Sequence, residues 1–198
     1  MKILLMKFRN IGDVLLSTPL ISNLKNIYPD SQIDMALNKG CEDMVSNNPN
    51  VDNVIIYDRP RIKKLGISAQ LKEEIRLTRN IRNNHYDMVI NLTEGDRGAQ
   101  LAFLSGAKSK LGFPVRKGLL SKIKIFDKLG DDKKWQHTVE KDLQFINLLG
   151  HKIINKEVKI YWPNKVEQEV DKILADNNIS QFVHIHPVSR WMFKCWED

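Results

Sequence analysis

Cysteine is nearly absent. Cys41 and Cys195 are the two in 198 residues, and with no CxxC pair they suggest neither a disulfide framework nor a zinc site. Such sparse usage fits a reducing compartment. Also missing is any apolar run approaching the roughly 18 residues that a membrane span requires. The start is not a secretory signal either, because Lys7 and Arg9 cut its apolar run short and Gly12-Asp13 has no cleavage character. A cytoplasmic protein is therefore expected, in which the sequon Asn91-Leu92-Thr93 needs no glycan. The first loop, FRNIGD, lacks the GxGxxG pattern with which dinucleotide sites approach a pyrophosphate, which lowers that reading. Aromatic residues amount to 8% and hardly interleave with the basic ones, so a nucleic-acid partner is not expected. No metal cluster is evident: His184 and His186 would share a strand face, but two histidines without a nearby carboxylate are more often packing residues.

What is present is a core-forming composition and an excess of positive charge. With 42% hydrophobic residues the chain can bury a sizeable core. Its length suits one full domain and part of a second. Thirty-one Lys and Arg against 24 Asp and Glu give a formal charge of +7, which points to an anionic partner; nucleic acid, acidic lipid headgroups and phosphorylated sugars all qualify on charge alone.

The most informative stretch is Met1 to Pro19. Lys2 to Phe8 is almost purely Ile, Leu and Met, as suits a strand buried on both faces of a parallel sheet. A helix should follow from Asp13, with Gly12 supplying the tight turn and Pro19 bending the helix. Arg9 to Asp13 then form a loop at the carboxyl end of the first strand, where open α/β sheets hold their ligands. Two readings of Asp13 compete. It can be only a helix N-cap, which spacing alone favours. It can also be a general base taking a proton from an incoming hydroxyl, although a helix terminus would hold its pKa down.

Further strands are expected at Gln32 to Leu37, Val54 to Tyr57, Tyr86 to Leu92 and Ala107 to Gly112, alternating with helices near Cys41 to Ser46, Ile67 to Asn84, Gly95 to Ser105 and Gln136 to Leu149. Such alternation indicates an α/β fold, a doubly wound, Rossmann-like parallel sheet. Arg59-Pro60-Arg61-Ile62-Lys63-Lys64 is a basic run beyond the third strand, either a solvated loop or a phosphate-binding edge of an acceptor site. The fourth strand delivers Asn91, Thr93, Glu94 and Asp96 to the same sheet edge, where the acids either bind sugar hydroxyls or cap the next helix. From Lys108 to Lys134 nine Lys or Arg face three Asp; this segment is either a basic amphipathic stretch lying on an anionic membrane or an irregular loop whose apolar residues pack back on the domain. Beyond it, a strand at Glu157 to Tyr161 and a helix at Val166 to Asn177 should precede Phe182 to His186, the first strand of a second Rossmann-like unit.

Lys7-Phe8-Arg9-Asn10-Ile11-Gly12-Asp13-Val14-Leu15-Leu16-Ser17-Thr18-Pro19 resembles the amino-terminal signature of the family 9 glycosyltransferases, the lipopolysaccharide heptosyltransferases. His186-Pro187-Val188-Ser189-Arg190-Trp191-Met192-Phe193-Lys194-Cys195-Trp196 resembles the donor-binding segment of the same family, closest to the heptosyltransferase III type. Tyr86 to Thr93 and His137 to Glu140 extend the similarity between these ends. The resemblance implies a GT-B type amino-terminal domain over residues 1–155, which binds acceptor, and a linker with the first elements of a donor-binding domain over 156–198. The rest of that second domain is expected to be missing, a truncation that would leave the isolated chain inactive.

The resemblance further implies an inverting transfer of heptose from ADP-heptose, a donor substrate rather than a cofactor, to the phosphorylated inner core of lipopolysaccharide. Asp13 would be the general base. Ser189 and Lys194 would contact the donor diphosphate, with Arg190 and Trp196 helping to hold the nucleotide, and no metal is needed if those groups neutralise the leaving group. Arg9, Asn10, Arg59, Arg61, Lys63, Lys64, Asn91 and Glu94 would serve the acceptor. The enzyme would be cytoplasmic, with a peripheral contact at the inner face of the inner membrane. A non-catalytic nucleotide- or anionic-ligand-binding Rossmann-like module is the alternative.

Overall fold

The computed structural model describes residues 1–116, 119–132 and 136–187 together with Ser189, Met192 and Cys195. The chain divides into two compact units, Met1–Tyr161 and Trp162–Asp198.

The first unit is built on a six-stranded, wholly parallel sheet in the order β3-β2-β1-β4-β5-β6. Its strands are β1 (Lys2–Lys7), β2 (Gln32–Asn38), β3 (Asn53–Tyr57), β4 (Met88–Asn91), β5 (Ser109–Gly112) and β6 (Lys128–Leu129). The expected doubly wound α/β architecture is thus what forms. β1 lies at the centre, and its side chains alternate between two cores. Ile3 and Leu5 enter one with α2 (Thr18–Ile27) and α6 (Thr138–Leu148). Leu4 and Met6 enter the other with α4 (Ile67–Asn83) and α5 (Asp96–Leu104). The sequence order reverses between β1 and β4, so the crevice at their carboxyl ends is the ligand position such a sheet offers.

Several expectations are corrected. The helix after β1 is two helices, α1 (Ile11–Leu15) and α2, rather than one bent at Pro19. The hydroxyls of Ser17 and Thr18 donate to the carbonyls of Val14 and Leu15 at 2.6 and 2.8 Å, ending α1. Pro19 then sits in the first turn of α2, where its missing N–H costs nothing. Gly12 lies inside α1 without a positive φ, so it does not make the turn. The basic run forms a short helix, α3 (Arg59–Lys63), capped by the Asp58 carboxylate accepting from the Arg61 N–H at 3.1 Å. In the 108–134 segment Ile125 and Phe126 are buried, Phe126 lying so close over Gly112 that a Cβ there would meet its ring at 2.5 Å. These apolar residues pack back on the domain.

α6 starts behind His137, whose Nδ1 accepts from the Val139 N–H, and ends at Gly150. That glycine has φ +91°, and the N–H groups of Gly150 and His151 bond the Asn147 and Ile146 carbonyls, closing the helix with a left-handed cap. Glu157 to Tyr161 forms no strand. Its neighbour is helix α2, which has no open ladder edge, so side chains hold the segment instead. Buried Asn23 accepts from the N–H groups of Ile154 and Asn155 and donates to the Asn155 carbonyl, and Thr18 accepts from the Lys159 N–H at 3.2 Å.

In the second unit α7 (Asn164–Asp176) buries none of its residues. Phe182 to His186 makes no ladder among the described residues, and Phe182, Val183 and Ile185 are exposed. A strand needs a partner to satisfy its backbone, and no described residue supplies one.

Candidate functional site

The loop after β1 is fixed by its two neighbouring strands. The Phe8 N–H donates to Thr93 Oγ1 at 2.8 Å, just beyond β4. The Arg9 carbonyl accepts from Asn38 Nδ2 at 3.1 Å, at the end of β2, and from the Cys41 thiol at 3.7 Å. Burial, and after it the nearby charges of Glu42 and Asp13, push the Cys41 thiol up, so it stays protonated.

Asn10, not Asp13, is the N-cap of α1. Asp13 is the third helical residue, and its Oδ2 accepts from the Asn10 N–H at 3.3 Å, the acidic half of a capping box. The carboxylate is half-buried. Capping therefore uses one oxygen and leaves Oδ1 without a hydrogen bond from the described residues.

Beside this loop lies a pocket of about 250 Å3 at the carboxyl edge of the sheet, with Arg9, Arg59, Arg97, Glu94, Asp96 and Asn38 in its wall. A wall with three arginines suits an anion with several oxygens, and its carboxylates can accept hydroxyl donors. Glu94 is shared between Arg9, at 3.4 Å, and Lys141 of α6. Arg97 is held in place: its Nη1 donates to both oxygens of Glu74 at 2.8 Å, and its guanidinium lies 4.1 Å over the Tyr57 ring. The Tyr57 hydroxyl donates to Glu74 as well, at 2.7 Å. Burial and the Glu74 carboxylate push its pKa up to about 12, so the phenol remains a donor.

The structure sorts the residues singled out in sequence. Arg9, Arg59 and Glu94 meet at the pocket. Asn10 caps the adjacent helix. Arg61 points elsewhere, bound to Glu73 at 2.9 Å; together with Asp58 it lines a different surface cavity along β3. Lys63 and Lys64 do not line the pocket. Asn91 is buried, its amide donating to the Thr93 carbonyl and accepting from the Thr93 N–H, so it shapes the turn after β4. A Cβ on Gly98 would meet Asn91 Oδ1 at 2.2 Å, which explains glycine at that contact. Of the donor-loop residues, Ser189 is described, its N–H 3.2 Å from Cys195 Sγ. Arg190, Lys194 and Trp196 lie outside the described residues. Among the described residues no group of three His, Cys, Asp or Glu could hold a metal, and no helix is long and apolar enough to cross a membrane.

Two features escaped the sequence reading. One is Arg97. The other is a buried ion pair: Lys7, in the same row as Ile3 and Leu5, reaches Asp142 of α6 at 2.7 Å, with 4% and 1% of the side chains exposed. Burial pushes the Asp142 carboxyl up to about 6 against the opposing pull of Lys7, with Asp13 adding to the rise. The signal was available, since Asp142 falls on the α6 stripe that carries Val139, Leu143 and Ile146.

Comparison with known proteins agrees with this architecture. The model of glycosyltransferase family 9 (heptosyltransferase) matches residues 74–198. Lipopolysaccharide heptosyltransferase 3 of Escherichia coli strain K12 is 31% identical over 193 residues, covering 94% of this chain and 54% of that protein. The solved structure of a family 9 glycosyl transferase from Veillonella parvula superposes with a TM-score of 0.74 at 21% identity, over 90% of this chain and 50% of its own. Escherichia coli heptosyltransferase WaaC, solved with ADP-2-deoxy-2-fluoro heptose, gives 0.68 at 21% identity, over 90% of this chain and 67% of its own. The chain spans about half the length of the curated relatives it matches.

Proposed function

This chain belongs to glycosyltransferase family 9, and from that premise we propose that it is the acceptor-binding part of an enzyme that transfers heptose from ADP-heptose to the phosphorylated inner core of lipopolysaccharide. The observation that carries this reading is the pocket in which Arg9, Arg59 and Arg97 converge beside the loop bearing Asp13. Three cations around one small cavity suit the phosphate of a phosphorylated sugar. The pocket's carboxylates suit the neighbouring hydroxyls.

In the proposed reaction the acceptor hydroxyl oxygen attacks the anomeric carbon of the donor from the face opposite the diphosphate. The new C–O bond forms as the bond to the diphosphate breaks, which inverts the centre. The hydroxyl proton passes to Asp13, whose Oδ1 is the oxygen not engaged by Asn10. Ser189 and Lys194 are the groups proposed to meet the departing diphosphate, the hydroxyl as a donor and the ammonium as a point charge. The protein is proposed to work in the cytoplasm.

The test combines binding and transfer. The chain should bind a phosphorylated inner-core oligosaccharide in calorimetry, at least tenfold more tightly than the same oligosaccharide after phosphatase treatment. In an enzyme carrying this sequence, Asp13→Asn should lower transfer about a thousandfold or more with acceptor affinity unchanged. Equal affinity for the dephosphorylated acceptor, or near-normal turnover of Asp13→Asn, would overturn the reading.

A further inference from the structure

The first unit carries an apolar area that its core does not use. On α4, Ile67, Leu71 and Ile75 follow at four-residue spacing, which stacks them on one face, and they are 87%, 60% and 42% exposed. The helix makes its core contacts with Leu77 and Ile81 instead. Leu71 and Ile75 stand opposite Leu101 and Leu104 of α5 across an open groove of about 500 Å3.

The rim of this groove is cationic. Arg79, one turn after Ile75, lines it, and Arg82 follows on the same side of the helix. Arg97 closes the opposite wall. Among the described residues that line the groove the one acid is Glu74, already held by Arg97. Because Arg97 also lines the pocket at the sheet edge, the apolar groove and the anion pocket share a wall.

We propose that this α4–α5 face docks on an anionic phospholipid bilayer, with Leu71, Ile75 and Leu104 entering the acyl boundary and Arg79 and Arg82 meeting lipid phosphates. Exposed apolar side chains flanked by arginines are the pattern by which a surface lies in a membrane interface, and the cations add an attraction that salt screens. A second copy fits less well. A twofold contact would pair this face with itself, and among the described residues lining the groove the one acid that could meet the partner's Arg79, Glu74, is already held by Arg97. Docking in this orientation brings the anion pocket next to the bilayer surface, where a lipid-anchored glycan would present its phosphates; that consequence rests on the proposed function, whereas the docking does not.

The test is co-sedimentation of the protein with phosphatidylcholine vesicles with and without phosphatidylglycerol. The protein should partition onto the phosphatidylglycerol vesicles and be released as salt is raised. The double variant Leu71→Ser with Ile75→Ser, at exposed positions and with an unchanged circular dichroism spectrum, should lower that partitioning about tenfold. Arg79→Glu with Arg82→Glu should abolish the preference for the anionic vesicles. No sedimentation of the unaltered protein, or equal sedimentation of the serine variant, would overturn the proposal. So would a dimer in velocity sedimentation that the serine variant dissolves, because it would give the groove to a second copy. The vesicles hold no sugar acceptor and no transfer is read, so this outcome and that of the transfer assay are independent.

Discussion

Two ion pairs flank the end of β1, two residues apart in sequence. Lys7 and Asp142 meet at 2.7 Å with almost no exposed side-chain surface; Arg9 and Glu94 meet at 3.4 Å with 44% and 42% of theirs exposed. The charges are alike and the surroundings opposite. A dry pair must keep its partner, because losing one ion strands the other away from water. A wet pair is worth little to the fold, so its cation can turn to an incoming anion at small cost. The contrast sets a buried, fold-supporting pair on the α6 side of the strand end against an exposed pair on the open side, the side to which the proposed function assigns the ligand.

The sharpest way to break this contrast is Lys7→Met. It leaves Asp142 buried without its cation and should cost about 3–5 kcal/mol in urea unfolding. The double variant Lys7→Met with Asp142→Leu removes both ions together and should recover to within about 1 kcal/mol of the parent. A single variant costing less than about 1 kcal/mol would mean that the pair is not dry and that the two sides of the strand end are equivalent.

A second expectation concerns pH. The Asp142 carboxyl is raised to about 6, above the value of about 3.9 in an unfolded chain. A raised carboxyl contributes stability that is fully present below about pH 4 and is lost as pH rises through about 6. Asp58, Glu73, Asp87 and Asp132 work the other way. Lys39, Arg61, the Lys2 N–H and Arg116 respectively hold them low, so their contributions are lost on acidification. Against Asp142→Asn, whose amide cannot ionise, the parent should lose about 2–3 kcal/mol between pH 4 and pH 7, superimposed on the cost to the variant of leaving Lys7 without its carboxylate. A difference independent of pH would mean that Asp142 stays ionised beside Lys7 throughout.

How far the sequence disclosed all this differs between the two sides of β1. The sheet was legible because β1 and β4, side by side at its centre, are short and largely apolar runs, and the alternation with helices leaves few topologies. Asp142 was legible in principle, as a charge on an apolar stripe. Arg97 was not: its importance comes from Tyr57 and Glu74, 40 and 23 positions away in the chain. The basic run looked like one surface because its charges are consecutive. Once coiled into α3, Arg59 and Arg61 are about 200° apart around the axis, and one reaches the pocket while the other turns to Glu73. The break at Ser17 was hidden for a similar reason, since two hydroxyls ended α1 before Pro19 could bend it.

The smallest effect on stability belongs to Arg9→Gln. Its pair with Glu94 is exposed, and Lys141 remains to hold the carboxylate, so unfolding should shift by less than about 0.5 kcal/mol. Binding should respond quite differently if the open side serves the ligand. Arg9 is one of three cations in the pocket wall, and its loss should weaken affinity for a phosphorylated inner-core oligosaccharide about tenfold at low salt and less at high salt. The two readouts together test the contrast from its weaker end. If Arg9→Gln destabilised the fold as Lys7→Met is expected to, the loop after β1 would be scaffold rather than site; if it changed neither stability nor binding, the pocket would have to act through Arg59 and Arg97, the two cations carried by α3 and α5.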